Sequence, residues 1–398
     1  LSDNIVHLVL AKIQGAPAGV KGISLFVVPK FRLDENGEPA QRNDVSLAGL
    51  IHKMGYRGTT STVLSFGEKD DCHGYLVGEA HQGLKYMFLM MNEARIGVGF
   101  GAAMLGYSGY RYSLGYAKER TQGRVAPNNK PTDKPATIIQ HGDVKRMLLA
   151  QKSYVEGAMS LCFYAARLVD ELHTAQTPEA NQRTAELLDL LTPVVKAWPS
   201  EFGPKANDLA IQILGGSGYT REYPVEQCWR DNRLNPIHEG TNGIQALDLM
   251  TRKLWQANGA GLVQLQKVMG EDFAKAQHPV SKQLIAELQP YLLKLQKLIP
   301  VIGAELAGEN QNALLANASC FLTIFGQVVM SWMWIRQAIT SEEALNDNVV
   351  SQDDEAFYRG KLQAAKYFLD WELPLTDRDF KVLSSMSDSC SAMQENWF

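Results

Sequence analysis

Short runs in which apolar side chains face alternate positions come first along the chain. They are Ile5 to Ala11, with the clear alternation Val6-His7-Leu8-Val9-Leu10, then Gly22 to Val28 closed by Pro29, then Ser61 to Phe66. Turn clusters at 15–19 and 34–39 separate them, so the pattern predicts a β-meander or small sandwich up to about Val77. From about Glu79 the period becomes helical. One long segment, rich in Met, Leu, Ala and Gly, spans Gly83 to Arg120, and another spans Gln140 to Ala175. Between Pro178 and Arg252 the pattern reads as three shorter helices punctuated by Pro193, Pro204, the glycine cluster 215–218, Pro224 and Pro236. Beyond Gln256 it is helical again, with polar breaks near 278–279, 308–310 and 346–353. The expected class is α+β, mainly α.

Composition adds exclusions. The 398 residues carry 39 Lys+Arg against 43 Asp+Glu, and a net charge of −4 over such a length leaves no positive field for nucleic acid or anionic lipid. Five cysteines, odd in number and far apart, fit a reducing cytoplasm and no metal site. The run Cys320 to Ile335 is the nearest approach to a membrane span, but Thr323, Gln327 and Ser331 interrupt it and a buried helix is expected instead.

Two segments carry candidate chemistry. In Gln212-Ile-Leu-Gly-Gly-Ser-Gly-Tyr the glycines are out of place in a helical region, where each costs ~1 kcal/mol relative to Ala. They read either as a helix C-cap and turn or as backbone opened to a phosphate or a flat ligand. In Pro236-Ile-His-Glu-Gly-Thr-Asn-Gly-Ile-Gln, Glu239 stands at a helix entrance. Thr241 reads as an N-cap and Glu239 as a loop carboxylate, or the pair as a catalytic entrance with Gly240 leaving room for substrate.

Seven collinear pieces closely resemble the acyl-CoA dehydrogenase family of flavoenzymes. They are Gly22-Ile-Ser-Leu-Phe-Val-Val-Pro, Lys53-Met-Gly-Tyr-Arg-Gly-Thr-Thr-Ser-Thr, Gly74-Tyr-Leu-Val-Gly, Asn92-Glu-Ala-Arg95, Glu119-Arg-Thr-Gln-Gly-Arg124, the Gln212 loop and Ile237-His-Glu-Gly-Thr. They cover about residues 1 to 255, and their variants look most like the larger bacterial branch, which includes the 3-methylmercaptopropionyl-CoA dehydrogenases. The resemblance implies a partial antiparallel β-domain over 1–80, without the N-terminal helical domain and first strands that relatives carry. It further implies the family's C-terminal helical bundle over 81–255 and an additional helical region over 256–398 that serves dimerisation.

The implied activity is FAD-dependent α,β-dehydrogenation of an acyl-CoA to the 2,3-enoyl-CoA. Glu239 matches the catalytic base, and Glu93 is its rival in relatives that carry the base elsewhere. Arg120 matches the arginine that binds the FAD pyrophosphate across a subunit interface, with Gln122 beside it, although a helix-terminal Arg meeting the dipole has the same signature. Gln212, Gly215 and Gly216 match the loop for the adenosine end, and Thr241 the flavin contact. Arg95, His238 and Gly240 fall at the substrate end. Two positions depart from the family: Gly142 follows His141 where His-Gln is usual, and Gly243 stands where several relatives have Gln. The implied partners are an acyl-CoA, electron-transfer flavoprotein and a second copy of the chain, as a homodimer or homotetramer. An acyl-CoA oxidase, a non-catalytic FAD-binding relative and a helical interaction scaffold are the alternatives.

Overall fold

The computed structural model describes residues 2–127, 130–346 and 351–398, and the side chains of Leu89 and Asn92 are not described. The side chain of Asn92 of the quoted motif and residues 347–350 of the third polar break therefore lie outside what is described. Two compact units result, residues 1–94 and 95–398, with the boundary inside the first helix.

In the first unit, β1 Val6–Lys12 pairs antiparallel with β2 Ile23–Pro29 in unbroken register, from Val6 opposite Pro29 to Lys12 opposite Ile23. The short hairpin β3 Phe31–Leu33 with β4 Pro39–Arg42 and the pair β5 Val45–Leu50 with β6 Thr62–Phe66 follow, and β7 Tyr75–Leu76 joins the free edge of β2. Three of these seven strands were expected; β3, β4, β5 and β7 lack a sustained alternation. Asn43 is buried between them, with Nδ2 donating to the carbonyls of Pro29 and His73 and Oδ1 accepting from the His73 N–H. One side chain thereby satisfies three backbone groups that the ladders leave open.

Helices α1 Gly83–Glu119 and α2 Gly142–Thr174 match the expected long segments to within two residues at each end. The next element differs from expectation. α3 Pro178–Leu214 is one continuous helix of 37 residues that runs through Pro193, Pro199 and Pro204. Each proline withholds one N–H from the helical ladder, and the loss is offset by burial of Leu190, Leu191, Val194, Val195 and Trp198 on its core face. The Val195 carbonyl, four residues before Pro199, meets α1 where Gly99 lets the backbones touch: a Cβ built on Gly99 would lie 2.0 Å from it. Gly99→Ala is therefore expected to destabilise the fold by about 1–3 kcal/mol or more. Gly101→Ala meets no atom within 4 Å and should be neutral or stabilising by up to ~1 kcal/mol. Denaturant midpoints of the two variants check this.

After α3 come α4 Val225–Asn232, α5 Asn242–Asp248, α6 Ala260–Phe273, α7 Pro279–Glu305, α8 Gln311–Ala316, α9 Ala318–Asn346, α10 Gln352–Tyr367 and α11 Thr376–Ser384. α9 is the core of the second unit, packed by α2, α3, α5, α7, α10 and α11. By length and mean hydropathy (1.5) it could cross a membrane, but 78% of its apolar window is buried inside the protein. Its tryptophans spend their polar atoms internally, Trp332 Nε1 on Asp272 Oδ2 at 3.0 Å and Trp334 Nε1 on the Ser153 carbonyl at 3.1 Å. The buried-helix expectation for this segment matches. Most of α9's apolar residues are buried within the chain.

Candidate active site

The loop 233–241 between α4 and α5 places the motif residues. Thr241 is the N-cap of α5, its Oγ1 accepting from the Ile244 N–H at 3.2 Å. Immediately before it the chain turns through two left-handed residues, Glu239 at φ 54° and Gly240 at φ 85°. For a non-glycine residue this costs of order 1–3 kcal/mol and persists only where the surroundings impose it. Gln245 is one such restraint, its Nε2 lying 3.4 Å from the carbonyls of both Glu239 and Gly240. The result is a half-buried Glu239 whose carboxylate and whose backbone N–H have no hydrogen-bond partner among the described residues.

Behind the loop lies a cluster that the motif reading missed. Lys196, in the middle of α3, is fully buried, and its Nζ donates to the Asn235 carbonyl at 2.9 Å and to Asn242 Oδ1 at 3.2 Å. Burial, and then the like charge of Arg95, bring its pKa down to about 8 against the opposing pull of Glu239. His238 is also depressed, first by burial and then by the charge of Lys196, so its imidazole is neutral at pH 7. A ladder of asparagines continues inward. His238 Nε2 lies 3.1 Å from Asn235 Oδ1, Asn235 Nδ2 donates to Asn232 Oδ1, Asn232 Nδ2 to Asn207 Oδ1 and the Ala102 carbonyl, and Asn207 Nδ2 to the Leu105 carbonyl on α1. Because Asn235 spends its amide nitrogen on Asn232, its Oδ1 can only accept, which places the His238 proton on Nε2.

Arg95 does not lie on an open surface. It is 4% exposed and sits 3.5 Å from Asp248 Oδ2, while Asp248 Oδ1 holds Arg252 at 2.6 Å. Arg95 Nε and Gln245 Oε1 are buried without a partner among the described residues. Glu93, the rival carboxylate, is exposed on α1.

The expected cofactor residues form two separate exposed sets. Arg120 and Gln122 lie on the segment after α1, which a bridge between Thr121 and Thr137 and the bonds Gln122 N–H to Ala136 and Ala136 N–H to Gly123 make rigid. His141 Nε2 lies 2.8 Å from the Gln122 carbonyl, so this histidine serves the segment's shape. Arg124 spends its guanidinium on the carbonyls of Asp133 and Pro131, whereas the Arg120 guanidinium makes no hydrogen bond or ion pair among the described residues. At the end of α3, Gln212 is exposed and Gly215, at φ 60° and ψ −136°, turns the chain in a way that L side chains rarely adopt. A Cβ on Gly216 would meet nothing within 4 Å, so this backbone is open to a ligand. The structure thus brings together Arg95, His238, Glu239, Gly240 and Thr241. No hydrogen bond or ion pair among the described residues joins Arg120, Gln122 or the Gln212 loop to them.

A sequence model for the acyl-CoA dehydrogenase C-terminal domain matches residues 81–254, and one described as acetyl-CoA dehydrogenase C-terminal like matches residues 262–394. The broad-specificity linear acyl-CoA dehydrogenase FadE5 of Mycobacterium tuberculosis is 34% identical over all of this chain and 67% of its own length. The 3-methylmercaptopropionyl-CoA dehydrogenase of Ruegeria pomeroyi is 33% identical over 98% of the chain and 65% of its own length. Among solved structures, Caenorhabditis elegans ACDH-11 in complex with C11-CoA superposes with a TM-score of 0.73 at 21% identity, over 97% of this chain and 61% of that one. A Bacillus anthracis acyl-CoA dehydrogenase complexed with FAD gives 0.71 at 20% identity, over 97% and 62%. The mainly helical α+β architecture is therefore the one these enzymes share. The chain belongs to the acyl-CoA dehydrogenase family. It spans about two thirds of the length of the curated relatives that it matches.

Proposed function

We propose that this protein oxidises an acyl-CoA thioester to the 2,3-enoyl-CoA with FAD as its cofactor, and that Glu239 is the base. The observation that carries the reading is Glu239 itself, held at a strained φ with both its carboxylate and its N–H unspent. A carboxylate oxygen of Glu239 takes the α-proton, and the C–H electron pair moves toward the thioester carbonyl. The Glu239 N–H donates to that carbonyl oxygen, where negative charge develops. FAD, when bound, would supply the flavin as acceptor for the β-hydrogen.

The residues present fit this cofactor. The unspent Arg120 guanidinium suits a pyrophosphate, with Gln122 next to it. The open backbone at Gly215 and Gly216, with Gln212, suits the adenosine end, and Thr241 the flavin. Since these sets are exposed and apart within one chain, we propose a homodimer or homotetramer in which copies share the cofactor site. His238 and Gly240 line the thioester site, and Arg95 acts at the substrate end through its buried charge. The three parts 1–80, 81–255 and 256–398 are proposed as inherited segments, which the family boundary between 254 and 262 supports. Electron-transfer flavoprotein is the proposed electron acceptor.

The test is spectroscopic. Purified holoenzyme should show the flavin bands and bleach anaerobically when an acyl-CoA is added. A flavin spectrum that no acyl-CoA bleaches would sink the proposal, and stoichiometric peroxide under air would replace the electron acceptor with O2.

A further inference from the structure

The eight residues 235–242 leave α4 and enter α5, and both ends of this loop converge on one nitrogen. Lys196 Nζ reaches the Asn235 carbonyl at 2.9 Å and Asn242 Oδ1 at 3.2 Å, and the Asn242 N–H closes the same loop on the Pro236 carbonyl at 3.0 Å. We propose that Lys196 is a positioning residue: its buried ammonium latches both ends of the loop and so fixes where Glu239 stands. This rests on the reading of Glu239 as the base.

Three physical facts point the same way. A fully buried lysine is expensive unless its charge is used, yet among the described residues it forms no ion pair and its Nζ bonds go to the two ends of this segment. Bonds from an ionised donor are about twice as strong as neutral ones, and here they act at the two points that set the loop's span. The ladder from His238 through Asn235, Asn232 and Asn207 anchors the same end to α1, so the latch closes against a fixed post.

The titratable and charged groups facing Lys196 are Arg95 on α1 and, on the loop, Glu239 and the neutral His238, with Asp248 of α5 behind Arg95. Their balance makes the latch sensitive to pH. With its pKa brought down from 10.5 to about 8, Lys196 loses its charge as pH rises through about 8, and its grip weakens. Global stability moves the other way. The unfolded chain keeps this proton up to about pH 10.5, so between about 8 and 10.5 it binds more protons than the folded one, and this group's contribution to stability rises with pH. Loosening of the loop above pH 8 is therefore separable from unfolding.

The experiment compares wild-type holoenzyme with Lys196→Met, Lys196→Arg and Asn242→Ala by amide deuterium exchange, corrected for intrinsic rates, and by stopped-flow flavin reduction. Peptides covering 235–245 should exchange roughly 10- to 100-fold faster in Lys196→Met, with α7 and α9 unchanged. Asn242→Ala should give a smaller increase, and Lys196→Arg should restore part of the protection. Wild type should show a step in loop exchange near pH 8 that Lys196→Met lacks. The reduction rate should fall in parallel with the increase in exchange, with half-saturating substrate changed by less than about threefold. Unchanged loop exchange in Lys196→Met, or the same pH step in it as in wild type, overturns the proposal. Should Lys196→Met fail to fold, unchanged exchange in Asn242→Ala overturns it. If no acyl-CoA reduces the wild-type flavin, the assignment of Glu239 falls, and the exchange data still decide the latch.

Discussion

Glu239→Gln is expected to slow substrate-driven flavin reduction by about 10²–10⁴-fold, the range that a positioned general base contributes. The substitution changes one oxygen to an amide nitrogen, keeps the side chain's volume and leaves φ 54° no more strained than before. The loop should keep its shape and FAD should stay bound. Binding of acyl-CoA should persist, because the Glu239 N–H proposed to hold the thioester carbonyl is unaltered. The diagnostic result is a yellow variant that binds an acyl-CoA, seen as a perturbed flavin spectrum, and does not bleach on the wild-type timescale. Bleaching at the wild-type rate would remove Glu239 as base and redirect attention to Glu93.

Trp332→Ala should cost about 3–5 kcal/mol, the range for truncating a buried aromatic residue. The indole is fully buried in α9, packs edge-on against Tyr164 at 5.1 Å, and donates to Asp272 Oδ2. Asp272 keeps Arg336 and Lys275 in the variant, so the loss arises mainly from the cavity. Trp332→Phe should cost less, because most of the volume stays and one hydrogen bond of about 1–3 kcal/mol is lost. Guanidinium denaturation of both variants gives the comparison. Equal losses would mean that the hydrogen bond to Asp272, rather than packing, dominates at this position.

How far the molecule could be read from its sequence depends on the range of the forces involved. β1, β2, α1 and α2 were legible because their periodicity is a local record of which face is buried. The continuity of α3 was not, since the rule that proline ends helices is local, while the burial of Leu190, Val194 and Trp198 that overrides it comes from distant helices. The segment 236–242 was legible as a motif, and the capping role read for Thr241 is present in the fold. Lys196 was missed because a lysine in isolation reads as solvated. The available signal was its setting, Val194-Val195-Lys196-Ala197-Trp198, a lone charge with only apolar residues for two positions on either side. Asn232 and Asn235 gave no signal, for one turn of spacing between amides is common and only the fold aligns them with Asn207.

The asparagine ladder has a consequence for proton traffic. Each amide nitrogen gives its hydrogen to the next oxygen, and the series ends on the Leu105 carbonyl, which has no proton to pass on. Amides at neutral pH do not exchange protons along such a row, so the row is an electrical insulator that transmits orientation only. On the proposed reading of Glu239 as base, the proton it takes would have no exit through the interior along this row, which begins at His238 beside it.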